Sequence, residues 1–215
     1  RPAYSEATRM LSRALLTLTC LALASPARAG SHLWRYSEFY SSADRRIQFI
    51  EMVEIGGSQD ETKISGHWYQ TDGYNLDHSV LLGTDMPFGT AFKKFLVGSR
   101  SYDALARSSA NLPVPDYVIA DGAIDPAGDT VVWWFYQTKS IPPGLMPTDG
   151  TLSIHVVDPV LPSSPYTVGP NSPTNFAGTT GSIVLPPVVP ASSSSQRALL
   201  ALCIAALMLY ALRRH

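Results

Sequence analysis

The chain has 215 residues, 45% of them hydrophobic and 15% charged, with a formal net charge of −1 and two cysteines. The near-neutral total hides a division, because residues 30–190 carry nine Lys and Arg against sixteen Asp and Glu, a net of −7. An acidic, cysteine-free body excludes a nucleic-acid binder, which needs a basic face to displace counterions, and excludes a disulfide scaffold.

The first element is apolar. From Met10 the chain reads Met-Leu-Ser-Arg, then an apolar stretch from Ala14 to Ala24, then Ala27-Arg28-Ala29 before Gly30. A basic start, an apolar core of about ten residues and an Ala-x-Ala site are the parts of a secretory signal peptide, with cleavage between Ala29 and Gly30. The stretch is too short for a bilayer span of about 20 residues. Residues 1–9 read as an upstream mis-start. A lipoprotein reading through Cys20 is weaker, since Thr17-Leu18-Thr19 lacks the small residue wanted before such a cysteine.

From residue 33 the pattern alternates with period two. Leu33–Tyr40 and Ile47–Val53 read as strands joined by the turn residues Ser41-Ser42-Ala43-Asp44, a β-hairpin. Phe49 and Ile50 point to opposite faces of one strand, so that strand is expected to be central in its sheet. Further strands are expected at Thr62–Tyr69, Ser79–Leu82, Lys94–Val97, Tyr117–Ile119, Thr130–Tyr136 and Thr151–Val156, punctuated by Gly and Pro. Ser65-Gly66 relaxes a turn that lets Trp68 enter the core. Only Tyr102–Ser108 reads as helix. About 160 residues suffice for one core, and the expected fold is a single, mainly β, antiparallel sandwich over residues 30–158.

Residues 159–197 read as a Pro- and Ser-rich linker, mostly extended coil, with Phe176 docking back as an apolar anchor. Ala198–Leu212 is a run of 15 apolar residues followed by Arg213-Arg214, about 22 Å as a helix. Residues 198–215 therefore read as a transmembrane or sorting tail that links the protein to a membrane and keeps the arginines cytoplasmic. The layout resembles exosortase-type and rhombosortase-type C-terminal signals, without their Pro-Glu-Pro or Leu-Pro-x-Thr-Gly motifs. The alternative is a buried C-terminal helix.

Ser37-Glu38-Phe39-Tyr40, Gln48-Phe49-Ile50-Glu51-Met52, Ile64-Ser65-Gly66-His67-Trp68, Phe95-Leu96-Val97-Gly98 and the stretch from Asp121 to Val132 resemble, in that order, the pattern of lamin-tail domains. Two departures stand out: His67 is inserted between Gly66 and Trp68, and the Asn-Pro turn after the Glu strand is missing. The chain is also similar to bacterial secreted proteins that open with Tyr-Ser-Ser-Ala-Asp, here from Tyr40, and close with Asn171-Ser-Pro-Thr-Asn-Phe-Ala-Gly178. The resemblance implies an immunoglobulin-like β-sandwich used for binding or attachment, without catalysis.

Chemistry is sparse. There is no Gly-x-Ser-x-Gly elbow, and His32, His67, His78 and His155 show no metal-ligand spacing. Asp121, Asp125 and Asp129 form an acidic loop that is a candidate calcium site, although their spacing does not match an EF-hand. Otherwise no cofactor is expected. Glu51, beside a core face, reads as a rim carboxylate bonded to a nearby turn, or as a ligand contact. The strongest candidate is Val131-Val132-Trp133-Trp134-Phe135-Tyr136. As a strand it would put Trp133 and Phe135 on one face and Trp134 and Tyr136 on the other. Either both pairs are packed, the second under the Tyr102–Ser108 helix, or Trp134 and Tyr136 form an aromatic platform for an extracellular glycan or protein, with the Asp loop nearest to it. The function expected is a surface-anchored binding or adhesion module of a bacterial envelope. A secreted hydrolase or metal-dependent enzyme, and a purely structural envelope protein, are the alternatives.

Overall fold

A computed structural model describes residues 30–71 and 79–185. The expected signal segment, the cleavage residue Ala29, and the tail from 186 onward lie outside the described residues, as does His78. Among the described residues no helix is long and apolar enough to cross a membrane.

The described chain is mainly β. Its strands are β1 (Trp34–Ser41), β2 (Gln48–Glu54), β3 (Trp68–Gln70), β4 (Val80–Leu81), β5 (Lys94–Ser99), β6 (Tyr117–Ile119), β7 (Asp129–Trp133), β8 (Gln137–Ile141), β9 (Leu152–Val156) and β10 (Tyr166–Pro170). One helix, α1 (Arg100–Ser108), follows β5 directly and is capped by the Ser99 hydroxyl, which accepts the Tyr102 N–H. A six-stranded sheet has the order β10-β9-β1-β2-β5-β6, and a four-stranded sheet the order β4-β3-β7-β8. Every pair is antiparallel except β5 with β6.

The two sheets share one apolar core, as a sandwich requires. Trp34, Tyr36, Phe39, Ile50, Met52, Phe95 and Ile154 from the larger sheet meet Tyr69, Val131, Trp133 and Ile141 from the smaller. The outer face of the larger sheet has its own core, where Tyr40, Phe49 and Leu96 pack under Tyr102 and Ala106 of α1 and under Ile183. The β1–β2 hairpin forms as the alternation indicates. Phe49 and Ile50 serve the two different cores, which is why β2 lies inside its sheet.

β1 is not a plain alternating strand. Its register against β2 slips between Tyr36 and Glu38, a bulge at Ser37. The extra residue lets Trp34, Tyr36 and Phe39 all face the inter-sheet core and turns Glu38 and Tyr40 outward.

Four expectations need correction. Thr62–Tyr69 is mostly turns, and only Trp68–Gln70 is strand. Gly66 does make the turn, at φ +84, but Ile64 and Tyr69 enter the core while Trp68 stays half-exposed. The strand expected at Thr130–Tyr136 ends at Trp133, and a second strand, β8, starts at Gln137. The supposed coil after residue 159 contributes β10, an edge strand on β9 that tolerates Pro170 at its end. Phe176 is buried against the sandwich core.

Candidate functional site

The strand register fixes which residues share an end of the molecule. One end holds the β1–β2 turn, the start of β9 at Leu152, the end of β5 at Ser99 and the start of β7 at Asp129. The other end holds the start of β1, the end of β2, the start of β3 and the β7–β8 connection.

That connection is the tip of a hairpin. Trp133 pairs with Gln137, leaving residues 134–136 as the loop. Trp134 turns the chain in the left-handed region at φ +46, while its N–H still reaches the Trp68 carbonyl at 3.0 Å. The Tyr136 N–H closes the turn on the Trp133 carbonyl at 3.0 Å. The turn cancels the expected two-face alternation. Trp133 is fully buried, Phe135 is 81% exposed, and Trp134 and Tyr136 are both half-buried.

Around the tip the rings form one cluster. Trp134 lies 4.9 Å from Phe135 and 5.5 Å edge-on from Trp68, which is 6.0 Å from Phe135. His67, the inserted residue, is the hub of the cluster. Its ring stacks on Trp133 at 5.5 Å and on Tyr136 at 5.8 Å, and lies 4.9 Å from Trp134. Both its nitrogens are held, Nε2 by the Ser31 hydroxyl at 2.7 Å and Nδ1 near the Ile64 carbonyl at 3.0 Å. His32 bridges Tyr136 at 6.4 Å to the buried carboxylate of Glu61 at 3.3 Å. The sequence reading put Trp134 and Tyr136 in the platform; it missed His67, Trp68 and Phe135, although the insertion of His67 was the visible signal.

The acidic loop sits at the opposite end of the sandwich, so it is not the polar neighbour of the aromatic residues. Asp121 accepts from the Ser101 N–H and hydroxyl at the start of α1. Asp125 faces Arg45 at 3.4 Å, and Asp129 accepts the Asp125 and Thr130 N–H groups. Burial pushes the Asp121 carboxyl up, but its bonds to Ser101 and the nearby Arg46 outweigh this and leave it below its usual value. Among the described residues no three His, Cys, Asp or Glu side chains gather as a metal site requires.

Glu51 belongs to a different arrangement. Across the outer face of the larger sheet runs the segment from Asn171 to Phe176, and alternate N–H groups of that strap meet carboxylates on β1, on β2 and at Asp116, just before β6. The Ser172 N–H donates to Glu38 at 2.9 Å, Thr174 to Glu51 at 2.9 Å and Phe176 to Asp116 at 2.9 Å. Glu51 also accepts from the Ser37 hydroxyl at 2.7 Å and pairs with Lys94 at 2.7 Å. Burial raises the Glu51 and Asp116 carboxyls above their usual range, against the pull of these donors. Glu51 is thus a bonded carboxylate, but neither at the rim nor tied to a nearby turn: it is fully buried and bonded to a strap 123 residues away.

Two serine–histidine contacts bear on catalysis. Ser31 meets His67 at 2.7 Å, and Ser153 meets His155 at 3.0 Å while donating to Glu38 at 2.7 Å. Both serines are wholly buried, and a nucleophile must reach its substrate. Compared with protein-family models, with curated proteins and with solved structures, the chain matches none.

Proposed function

We propose that this chain is a non-catalytic, surface-anchored binding or adhesion module of a bacterial cell envelope, built as a lamin-tail-like, immunoglobulin-like sandwich. The observation that carries the reading is Phe135, 81% exposed at a hairpin tip and braced by Trp134 and Trp68. Large rings held rigid and exposed offer contact area at small entropic cost. The geometry extends the expected platform from Trp134 and Tyr136 to Phe135 and Trp68.

The polarity of the molecule fits an anchored module. The described residues end where the Leu185 N–H bonds to the Gly150 carbonyl, two residues before β9 begins. That is the end opposite the aromatic tip. A tail anchored through residues 198–212 therefore attaches at one end and leaves the tip at the far one. Export with cleavage before Gly30 belongs to the same proposal. The hydrolase alternative draws less support, because the serine of each serine–histidine contact is wholly buried.

The test is a binding panel of polysaccharides and extracellular proteins, run with and without calcium, on the full chain and on a variant carrying Trp134→Ala and Tyr136→Ala. Binding that the double substitution removes, with the fold intact by circular dichroism, supports the module. Binding that survives it removes the platform. N-terminal sequencing of the exported protein checks the cleavage, and a start well before Gly30 refutes it.

A further inference from the structure

The strap that follows β10 is one leg of a loop that closes on itself. Asn171 donates its backbone N–H to the Thr151 carbonyl at 3.1 Å, and Leu185 donates to the Gly150 carbonyl at 3.1 Å. Gly150 and Thr151 are consecutive, so both ends of residues 171–185 are fastened at one place. Between them the chain runs out to Phe176 over Glu38, Glu51 and Asp116, then folds back along itself. The Ile183 N–H donates to Asn171 Oδ1 at 2.6 Å, Gly181 to the Pro173 carbonyl at 3.1 Å and Asn175 to the Thr179 carbonyl at 3.1 Å. Thr174 and Thr180 form an isolated β-bridge between the two legs.

This layout meets a pull differently from the sandwich. Tension on Leu185 enters at the open end of the folded-back loop, where the rungs stand one behind another and each bears the whole load in turn. Once they part, Phe176, Thr174 and Ser172 leave Asp116, Glu51 and Glu38 in the same one-at-a-time order. β10 is loaded otherwise. Pro170 lies opposite Leu152, at the end where Leu185 is fastened, so a pull on it runs along the strand and falls on the whole register from Tyr166 to Pro170 together. A segment held by few, separately breakable bonds opens at lower free energy than the strands of a core.

We infer that residues 171–185 are an extensible strap: tension arriving through the tail opens it before the sandwich yields and lengthens the tether by about 50 Å. The gain is nearly the full extended length, because the two ends of the loop start at adjacent residues. It is about twice the ~26 Å of the eight-residue β1. The use of the strap rests on the anchored reading above, since a load needs a tip bound at one end and a tail held at the other. Closure is built in as well. Opening takes Ile183 out of the apolar cluster with Phe49 and Leu96, so burial draws the loop back when the load falls.

Optical tweezers on the full chain, gripped by peptide tags at its two termini, test this. The N-terminal grip loads the start of β1 at the aromatic end, and the C-terminal grip loads Leu185 at the other. A reversible step of about 50 Å in contour length is expected at lower force than the unfolding of the sandwich. The pair Thr174→Cys and Thr180→Cys identifies it, since the two threonine hydroxyls lie 3.0 Å apart across the isolated bridge and a disulfide fits there. Cys20→Ser and Cys203→Ser remove the other thiols. The oxidised pair is expected to shorten the step by about 15 Å, and reductant restores it. Unfolding of the sandwich with no earlier step overturns the inference, as does a step that the oxidised pair leaves unchanged. Membrane fractionation of the full chain reads the anchor separately. An anchored chain without the step removes the strap alone, and an unanchored chain that shows the step removes the anchored reading and the use of the strap with it.

Discussion

The Thr174 backbone N–H donates to Glu51 Oε2 at 2.9 Å, across 123 residues of sequence. This bond joins the second strand of the larger sheet to the Asn-Ser-Pro-Thr-Asn-Phe strap. With the equivalent bonds from Ser172 to Glu38 and Phe176 to Asp116, it shows why two distant segments with conspicuous residues belong together. A buried carboxylate is tolerated only when its oxygens are bonded, and here the strap supplies the donors.

Glu51→Ala is therefore expected to remove the acceptor of Thr174, Ser37 and Lys94 together and to cost about 2–4 kcal/mol. Urea unfolding gives the value, and limited proteolysis should show earlier cutting between Ser172 and Gly181. An unchanged midpoint would mean that the strap is held elsewhere.

Asp116 makes a pH prediction. Its folded pKa is raised by burial, so the folded state holds the proton more tightly than the unfolded chain. That contribution is fully present below the unfolded value of about 3.9 and is lost as pH rises through the raised folded value. Asp116→Asn keeps one oxygen for the Leu96 and Phe176 N–H groups and removes the titration. The stability of the variant relative to the parent should rise between pH 4 and pH 7, read from urea midpoints at both. A difference that is constant, or that falls, contradicts the assignment.

The hairpin tip separates neighbours of similar chemistry. Trp133→Ala should lose about 3–5 kcal/mol, the cost of a large core cavity. Phe135→Ser, two residues on, should stay within about 0.5 kcal/mol of the parent, as surface changes do. Thermal melts of the two variants check this, and similar losses would restore a continuous strand through Tyr136.

Two glycines should respond for different reasons. A Cβ at Gly98 would sit 2.6 Å from Tyr102 Cδ1 and 3.0 Å from Pro115, so Gly98→Ala pushes α1 off its sheet. The expected loss is about 1–3 kcal/mol. Gly66 has no atom within 4 Å of such a Cβ but sits at φ +84, so Gly66→Ala costs only the left-handed backbone, about 1–2 kcal/mol. Replacing Gly66 by Asn, which tolerates that region, should recover part of the loss, whereas Gly98→Asn should not.

What local pattern alone determined was the β class, the hairpin from β1 to β2, the inner place of β2, the helix after β5 and the docking of Phe176. Each follows from apolar periodicity or turn residues within a dozen positions. Tertiary structure decided the rest. β8 escaped notice because two of its three inward residues are Gln137 and Lys139, polar side chains that the core accepts only through remote partners. Gln137 accepts from the Tyr36 N–H at 2.8 Å, and the Lys139 ammonium donates to the Leu161 and Pro162 carbonyls at 3.1 and 2.9 Å. Without that strand the aromatic run reads as one long strand, whereas the chain in fact reverses at Trp134. The bulge at Ser37 likewise depends on pairing with β2, since one extra residue moves every later side chain to the other face. The separation of the Asp loop from the aromatic tip has the same origin: residues four apart on β7, Asp129 and Trp133, are near in sequence but stand at opposite ends of an extended strand.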